Sequence, residues 1–242
     1  MIRKVKVFSR EWNEMVDPYS RIFLSVDADK RLVDYIASKD LDVVLMYSEG
    51  IVEEAVANHP DIFLCRLGYN DINGNAILYK ADYHDFDTRK GPCGYPEDVA
   101  FNAVCTSRYF IHNLNYTDPG LLERARGVWT VDLIGCRQGY TKCNTVVVDR
   151  ESLITGDEGI AKACQKAEDL NVLLVRPGHV ELPGHDMGFI GGASGRIGNE
   201  IIFNGDLSSH PDFEKIRKFI EDRGLTCKWF PEYPLTDIGT IM

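Results

Sequence analysis

The sequence predicts an α/β fold assembled from five repeats of a strand–strand–helix–strand unit around a polar centre. Three observations predict it. A polar start followed by an apolar, β-rich run recurs five times, a second β-rich run ending in Asp follows, and amphipathic helical stretches come after those aspartates. The 242 residues are 44% hydrophobic and 26% charged, which is ordinary globular usage, and no linker or low-complexity segment divides them, so a single domain over 1–242 is expected.

The five starts are His59-Pro-Asp-Ile-Phe63, Pro96-Glu-Asp-Val-Ala-Phe101, Lys142-Cys-Asn-Thr-Val-Val147, Gly184-His-Asp-Met-Gly-Phe189 and Leu235-Thr-Asp-Ile-Gly-Thr240. They place Asp61, Asp98, Asn144, Asp186 and Asp237 in register, separated by 37, 46, 42 and 51 residues, a spacing that suits one supersecondary unit per repeat. The second runs are Ala76–Asp82, Tyr109–His112 leading to Asp118, Leu153–Asp157 and Ile201–Asp206. None follows Asp237. Arg21–Asp29 is expected to supply the missing strand, so that N- and C-terminal strands together close one module and remove exposed sheet edges. A generic α/β sheet whose strands begin after Asp is the competing arrangement.

Asp after a strand has a local use, because a short acidic side chain caps a helix by accepting its orphan N–H groups. Helical patterns follow accordingly: Leu32, Val33 and Ile36 after Asp29; Leu121, Leu122 and Ala125 after Asp118; Ile160, Ala163 and Cys164 after Asp157. Pro211-Asp-Phe-Glu214 opens a helix with Phe213, Ile216, Phe219 and Ile220 on one face, ended by Gly224. Third strands are expected at 43–46, 128–134, 172–175 and 226–230. The first repeat departs from the pattern: 83–95 is too rich in Gly, Pro and Asp for a helix, and a helix is expected at 50–58 instead.

Charge and composition exclude several function classes. A net charge of −10 disfavours nucleic acid, which needs a basic face, and leaves a small cation as the fitting ligand. No apolar run approaches the roughly 20 residues of a membrane helix, and the basic N-terminal stretch has no apolar core behind it, so no signal peptide, no membrane and a cytoplasmic location are expected. Seven cysteines without a CxxC pair are expected to stay reduced.

The run His185-Asp-Met-Gly-Phe-Ile-Gly-Gly-Ala-Ser-Gly195, with Asn204-Gly-Asp-Leu-Ser-Ser-His-Pro211 and Leu235–Ile241, resembles a bacterial family of unknown function assigned to the pentein, or guanidine-modifying-enzyme, superfamily. The resemblance implies a five-bladed α/β propeller of five pseudo-symmetric ββαβ modules. It implies C–N chemistry on a guanidino or amine compound, as in deiminases, amidinohydrolases and amidinotransferases. In such enzymes a cysteine attacks the guanidinium carbon, a histidine shuttles protons and carboxylates hold the substrate nitrogens. His185 and Asp186 stand where those enzymes carry their His and Asp. The nucleophile belongs to the last module, where Leu235–Ile238 has no cysteine; a non-catalytic ligand- or protein-binding relative is therefore the alternative.

If the starts converge, Asp61, Glu97, Asp98, Asn144 and Asp237 would bind the cation, since clustered carboxylates need a cation or hydrogen-bond donors to stay ionised and a guanidinium fork matches them. His185 is the expected proton shuttle, since an unperturbed imidazole titrates near neutral pH, and Asp186 stands beside it. Cys143 is the one thiol at a start; it is either a nucleophile activated by His185 or a small buried residue. No cofactor and no metal are required by this reading. A metal on His179, Glu181, His185 and Asp186, and a reversible Cys136–Cys143 disulfide, are weaker alternatives.

Overall fold

The computed structural model describes residues 1–14, 21–68, 77–106, 108–128 and 131–242; Ala76, and Trp129 and Thr130 of the expected strand 128–134, lie outside them. The first sheet contains β1 (Ile2–Lys6), β2 (Arg21–Ser25) and β3 (Asp42–Tyr47), all parallel in the order β1-β3-β2. Helix α1 (Arg10–Glu14) follows β1, and α2 (Lys30–Ala37) makes the crossover that a parallel β2–β3 pair requires. A helical turn, α3 (Pro60–Phe63), then leads into the antiparallel hairpin of β4 (Leu64–Leu67) and β5 (Ile77–Lys80).

The next three sheets share one order. In the first, β6 (Val104–Cys105) pairs antiparallel with β7 (Tyr109–His112), and α4 (Pro119–Val128) returns the chain to β8 (Asp132–Gly135), parallel to β7. The same path recurs in β9 (Thr145–Asp149), β10 (Ser152–Thr155), α5 (Glu158–Cys164) and β11 (Asn171–Leu174). It recurs again in β12 (Ser194–Ile197), β13 (Glu200–Phe203), α6 (Phe213–Glu221) and β14 (Thr226–Lys228).

Capping aspartates set where these units turn. Asp29 accepts the Arg31 N–H, Asp118 the Leu121 N–H and Asp157 the Ile160 N–H, at 2.6–2.8 Å. Asp206 accepts the Ser208 N–H at 3.0 Å, heading a single 3₁₀ turn before α6. Each cap satisfies a donor that the helix start leaves open.

The five-bladed propeller expected from the repeats is overturned. The architecture is mixed α/β with five separate small sheets of two or three strands, none closed and not arranged as a propeller. Among the described residues three units have the whole ββαβ order. The β4–β5 pair lacks its helix because the Gly- and Pro-rich stretch beyond it forms only isolated 3₁₀ turns, and the first sheet has no antiparallel strand. The expected helix at 50–58 is likewise a single 3₁₀ turn, Glu54–Val56. Nor do N- and C-terminal strands close a module. Leu235–Thr240 makes one isolated bridge, Glu181 to Thr236, and a single reciprocal backbone pair joins Phe23 to Met242.

Apolar packing links consecutive sheets. Ile111, Ile134, Leu153, Ile160 and Cys164 pack across the gap between β7–β8 and β10. Leu24, Leu32 and Ile36 pack with Ile202, Ile238 and Ile241. On α6, Ile216 and Ile220 are fully buried against Val146, Ile154 and Phe203, while the polar face stays in water. Among the described residues no helix is long and apolar enough to cross a membrane. Truncating a buried aliphatic side chain removes transfer free energy and leaves a cavity. Ile216→Ala should therefore destabilise the fold by about 2–5 kcal/mol, read as a lower urea midpoint at unchanged slope.

Candidate functional site

Of the five repeat starts the first two are helical turns ahead of a strand, and the fourth and fifth are loops; this decides which side chains point inward. Pro60 has no N–H to lose and so opens the short helix α3, which buries both His59 and Asp61. Glu97–Val99 is a 3₁₀ turn that buries Asp98 and exposes Glu97. The stretch 184–189 is a loop, and His185 and Asp186 on it are exposed. Only Asn144 directly precedes its strand, β9.

The buried starts do converge in part. Asp61 is fully buried, and its Oδ2 accepts hydrogen bonds from the Cys143 thiol at 3.0 Å and the Thr240 hydroxyl at 2.7 Å. Asn102 joins the two segments. Its Oδ1 accepts the N–H groups of Lys142 and Cys143, and its Nδ2 donates to the Asp61 carbonyl and to Cys143 Sγ. Lys142 Nζ donates to Thr240 Oγ1 at 3.2 Å. Asp237 is gripped by two backbone donors, Phe189 N–H on Oδ2 and Gly239 N–H on Oδ1, both at 2.9 Å.

Glycines make this approach possible. A Cβ on Gly192 would lie 1.9 Å from Asp237 Oδ1, and Gly239, at φ 70°, would bring one within 2.1 Å of His59 Cβ. Thr240 adopts φ 78°, a costly conformation for a β-branched residue, held by its hydroxyl bonds and by its N–H on the Gly192 carbonyl.

One nitrogen of His59, Cys143 Sγ and a carboxylate oxygen of Asp237 lie within 4.8 Å of one another; among the described residues this is the one cluster of three such donors. The imidazole that accompanies Cys143 is thus His59, not the exposed His185. His59 Nδ1 stands 3.9 Å from Asp237 Oδ1 and, like Asp61 Oδ1, has no hydrogen-bond partner. Burial sets the charge states here. It pushes the Cys143 thiol well above its ordinary range, with the Asp61 and Asp237 charges adding to the shift. It raises Asp61, lowers His59 and lowers Lys142, and pushes Asp237 up to about 6. Cys143 is therefore a protonated donor to Asp61, which argues against a resting thiolate. It is also a free thiol, as is Cys136, so no disulfide joins them.

The remaining expected residues lie apart from this cluster. Asp98 is buried with Oδ2 on the Tyr140 hydroxyl at 2.6 Å and Oδ1 without a partner. Asn144 donates to the Tyr140 carbonyl, a local bond. His185 lines an open cleft of about 790 Å³ whose inner wall is His59 and Asp237 and whose rim carries Asp27, Glu53 and Glu54. His59, Lys142, Asn102 and Thr240 are the site residues that sequence reasoning passed over. His59 stood in plain view at the head of the first repeat, and Lys142 and Thr240 lie inside two others. Asn102 follows the second start and has no periodic signal.

Burial pushes Asp98 up to about 6. A carboxyl whose folded pKa exceeds its unfolded value of roughly 4 contributes stability at low pH and loses it as pH rises through the folded pKa. The wild type should lose on the order of 2–3 kcal/mol relative to Asp98→Asn between about pH 4 and pH 7. Urea unfolding of both proteins across that range checks it; parallel curves would contradict the assignment.

No curated protein and no solved structure matches the chain. Residues 23–242 match the family of unknown function designated DUF6873. The match spans most of the sequence, including His59, Asp61, Cys143 and Asp237, and the chain belongs to that family.

Proposed function

We propose that the protein binds a small guanidino or amine cation in the cleft that ends at His59 and Asp237. The observation that carries this reading is the cleft's charge: Asp27, Glu53, Glu54 and Asp237 line it together with two imidazoles, and among the described residues its lining includes no lysine or arginine. A low-dielectric wall with carboxylates of one sign concentrates field and favours a cation. A guanidinium suits it further, because its planar fork pairs with carboxylates bidentately. His59, kept neutral by burial, adds no opposing charge. The motif resemblance to guanidine-modifying enzymes points to the same ligand class.

A second reading, C–N bond chemistry on that ligand, is favoured by the closeness of His59 to Cys143. In it His59, in the proton-shuttle role expected of His185, takes the Cys143 thiol proton and hands it to the departing amine as sulfur attacks the guanidinium carbon and a C–N bond breaks; water then cleaves the carbon–sulfur bond. The high pKa of Cys143 and its 2% exposure favour binding without covalent catalysis. A cytoplasmic location and a protein partner stay with these proposals as expectations of the sequence alone.

Titration calorimetry with an alkylguanidine and an alkylamine, against a neutral alkylurea, tests the reading. The cations should bind and the urea should not. Binding should weaken with added salt, and by about tenfold when Asp27, Glu53 and Glu54 are all replaced by their amides. Equal response to all three compounds, or no effect of the triple replacement, would sink it. Release of ammonia or urea from the guanidine would decide for the second reading.

A further inference from the structure

We propose that His59, Cys143 and Asp237 form a binding site for a single transition-metal dication of the zinc class at the closed end of the cleft. This goes beyond recognition of an organic cation: it shares His59 and Asp237 with the cleft and adds the Cys143 sulfur. Three donor types come together there from three distant parts of the chain: an imidazole nitrogen, a thiol sulfur and a carboxylate oxygen, mutually within 4.8 Å. Ligand atoms around a tetrahedral zinc ion, with bonds of about 2.0–2.3 Å, stand roughly 3.5 Å apart. Side-chain rotation of about an ångström would close the set.

A second observation points to a ligand independently. His59 is 4% exposed, and its Nδ1 has no hydrogen-bond partner although it faces Asp237 Oδ1 at 3.9 Å. Buried polar atoms are almost always paired, and a lone one facing a carboxylate, on a ring with a nitrogen within 4.8 Å of the Cys143 sulfur, is the state a metal ligand would show. The surroundings also supply an outer shell. Asp61 Oδ2 and Asn102 Nδ2 contact Cys143 Sγ, and the backbone N–H groups of Phe189 and Gly239 orient the Asp237 carboxylate. Such partners hold ligands in place and tune the metal.

Charge agrees with a dication. With Cys143 bound as thiolate and its proton on Asp61 Oδ2, which it already faces at 3.0 Å, the two anions Cys143 and Asp237 match the charge of a dication. Binding forms the metal–sulfur bond and breaks the S–H bond, whose proton passes to the Asp61 carboxylate that already accepts it. Three protein ligands leave a fourth position. His59 and Asp237 line the cleft, so that position faces solvent, as in zinc sites that keep a water or an exchangeable ligand.

Mixed nitrogen, sulfur and oxygen donors favour zinc-class ions over magnesium or calcium. The loop donors His179, Glu181, His185 and Asp186 do not form such a cluster among the described residues. The site proposed is therefore a different one from any that spacing along the chain suggests.

The test uses the full chain, stripped with a chelator and titrated with Co²⁺ as a spectroscopic probe and with Zn²⁺ in competition. One Co²⁺ per chain is expected, with a thiolate-to-cobalt charge-transfer band in the near ultraviolet. Cys143→Ser should abolish the band, and His59→Gln and Asp237→Asn should weaken Zn²⁺ affinity by about tenfold or more. Cys227→Ser, which alters a half-buried thiol outside the cluster, should change neither. Circular dichroism identifies any variant that has lost its fold; if Cys143→Ser is among them, alkylation of Cys143 blocked by Zn²⁺ replaces it as the readout. No stoichiometric binding, or binding indifferent to His59, Cys143 and Asp237, overturns the proposal.

Discussion

Placing several acids in one apolar interior is the constraint on which the rest of this structure depends. A carboxylate taken out of water is destabilised by several kcal/mol unless donors replace the lost hydration. Asp61 and Asp237 meet that demand by different means. Asp61 collects a hydroxyl and a thiol, while Asp237 takes one N–H from Gly239 in its own turn and one from Phe189, 48 residues away in sequence. The same demand explains local features that otherwise look arbitrary: bare Cα positions at Gly192 and Gly239, the left-handed Thr240, and Asn102 tying Cys143 to the Asp61 backbone.

Polarity grades outward from this cluster. Its inner members are bonded to one another and to backbone. Its outer members, His59 and Asp237, belong both to the cluster and to the cleft wall, and the cleft ends at exposed acids. A ligand entering from solvent thus meets screened charge first and fixed, water-poor charge last, where electrostatic interactions are stronger. The arrangement makes His59 and Asp237 the side chains that cleft and buried cluster share.

Alternation of β and α patterns was legible in the sequence, and so were the aspartates that cap helices, because both depend on neighbours within a few residues. Asp29, Asp118 and Asp157 do cap the segments they precede. Assembly of the sheets was not legible. Similar spacing along a chain fixes neither how many strands each sheet gathers nor whether the sheets form a ring, and the glycine- and proline-rich stretch after β5 breaks the pattern outright. The site was half visible. Asp61, Cys143 and Asp237 were named and do meet. The histidine that meets Cys143 is His59 rather than His185, although the two occupy similar sequence contexts, each close before an Asp. A proline-started helical turn folds one inward, whereas the other sits on a loop with Gly184 at φ 90° and stays in solvent.

A double-mutant cycle between Asp61→Asn and Thr240→Ala tests the central claim most directly, because these residues are 179 apart in sequence and share one buried hydrogen bond. The account predicts a coupling of about 1 kcal/mol or more in unfolding free energy. Additivity within roughly 0.5 kcal/mol would mean that the two do not meet, and the buried carboxylate cluster would not exist as described.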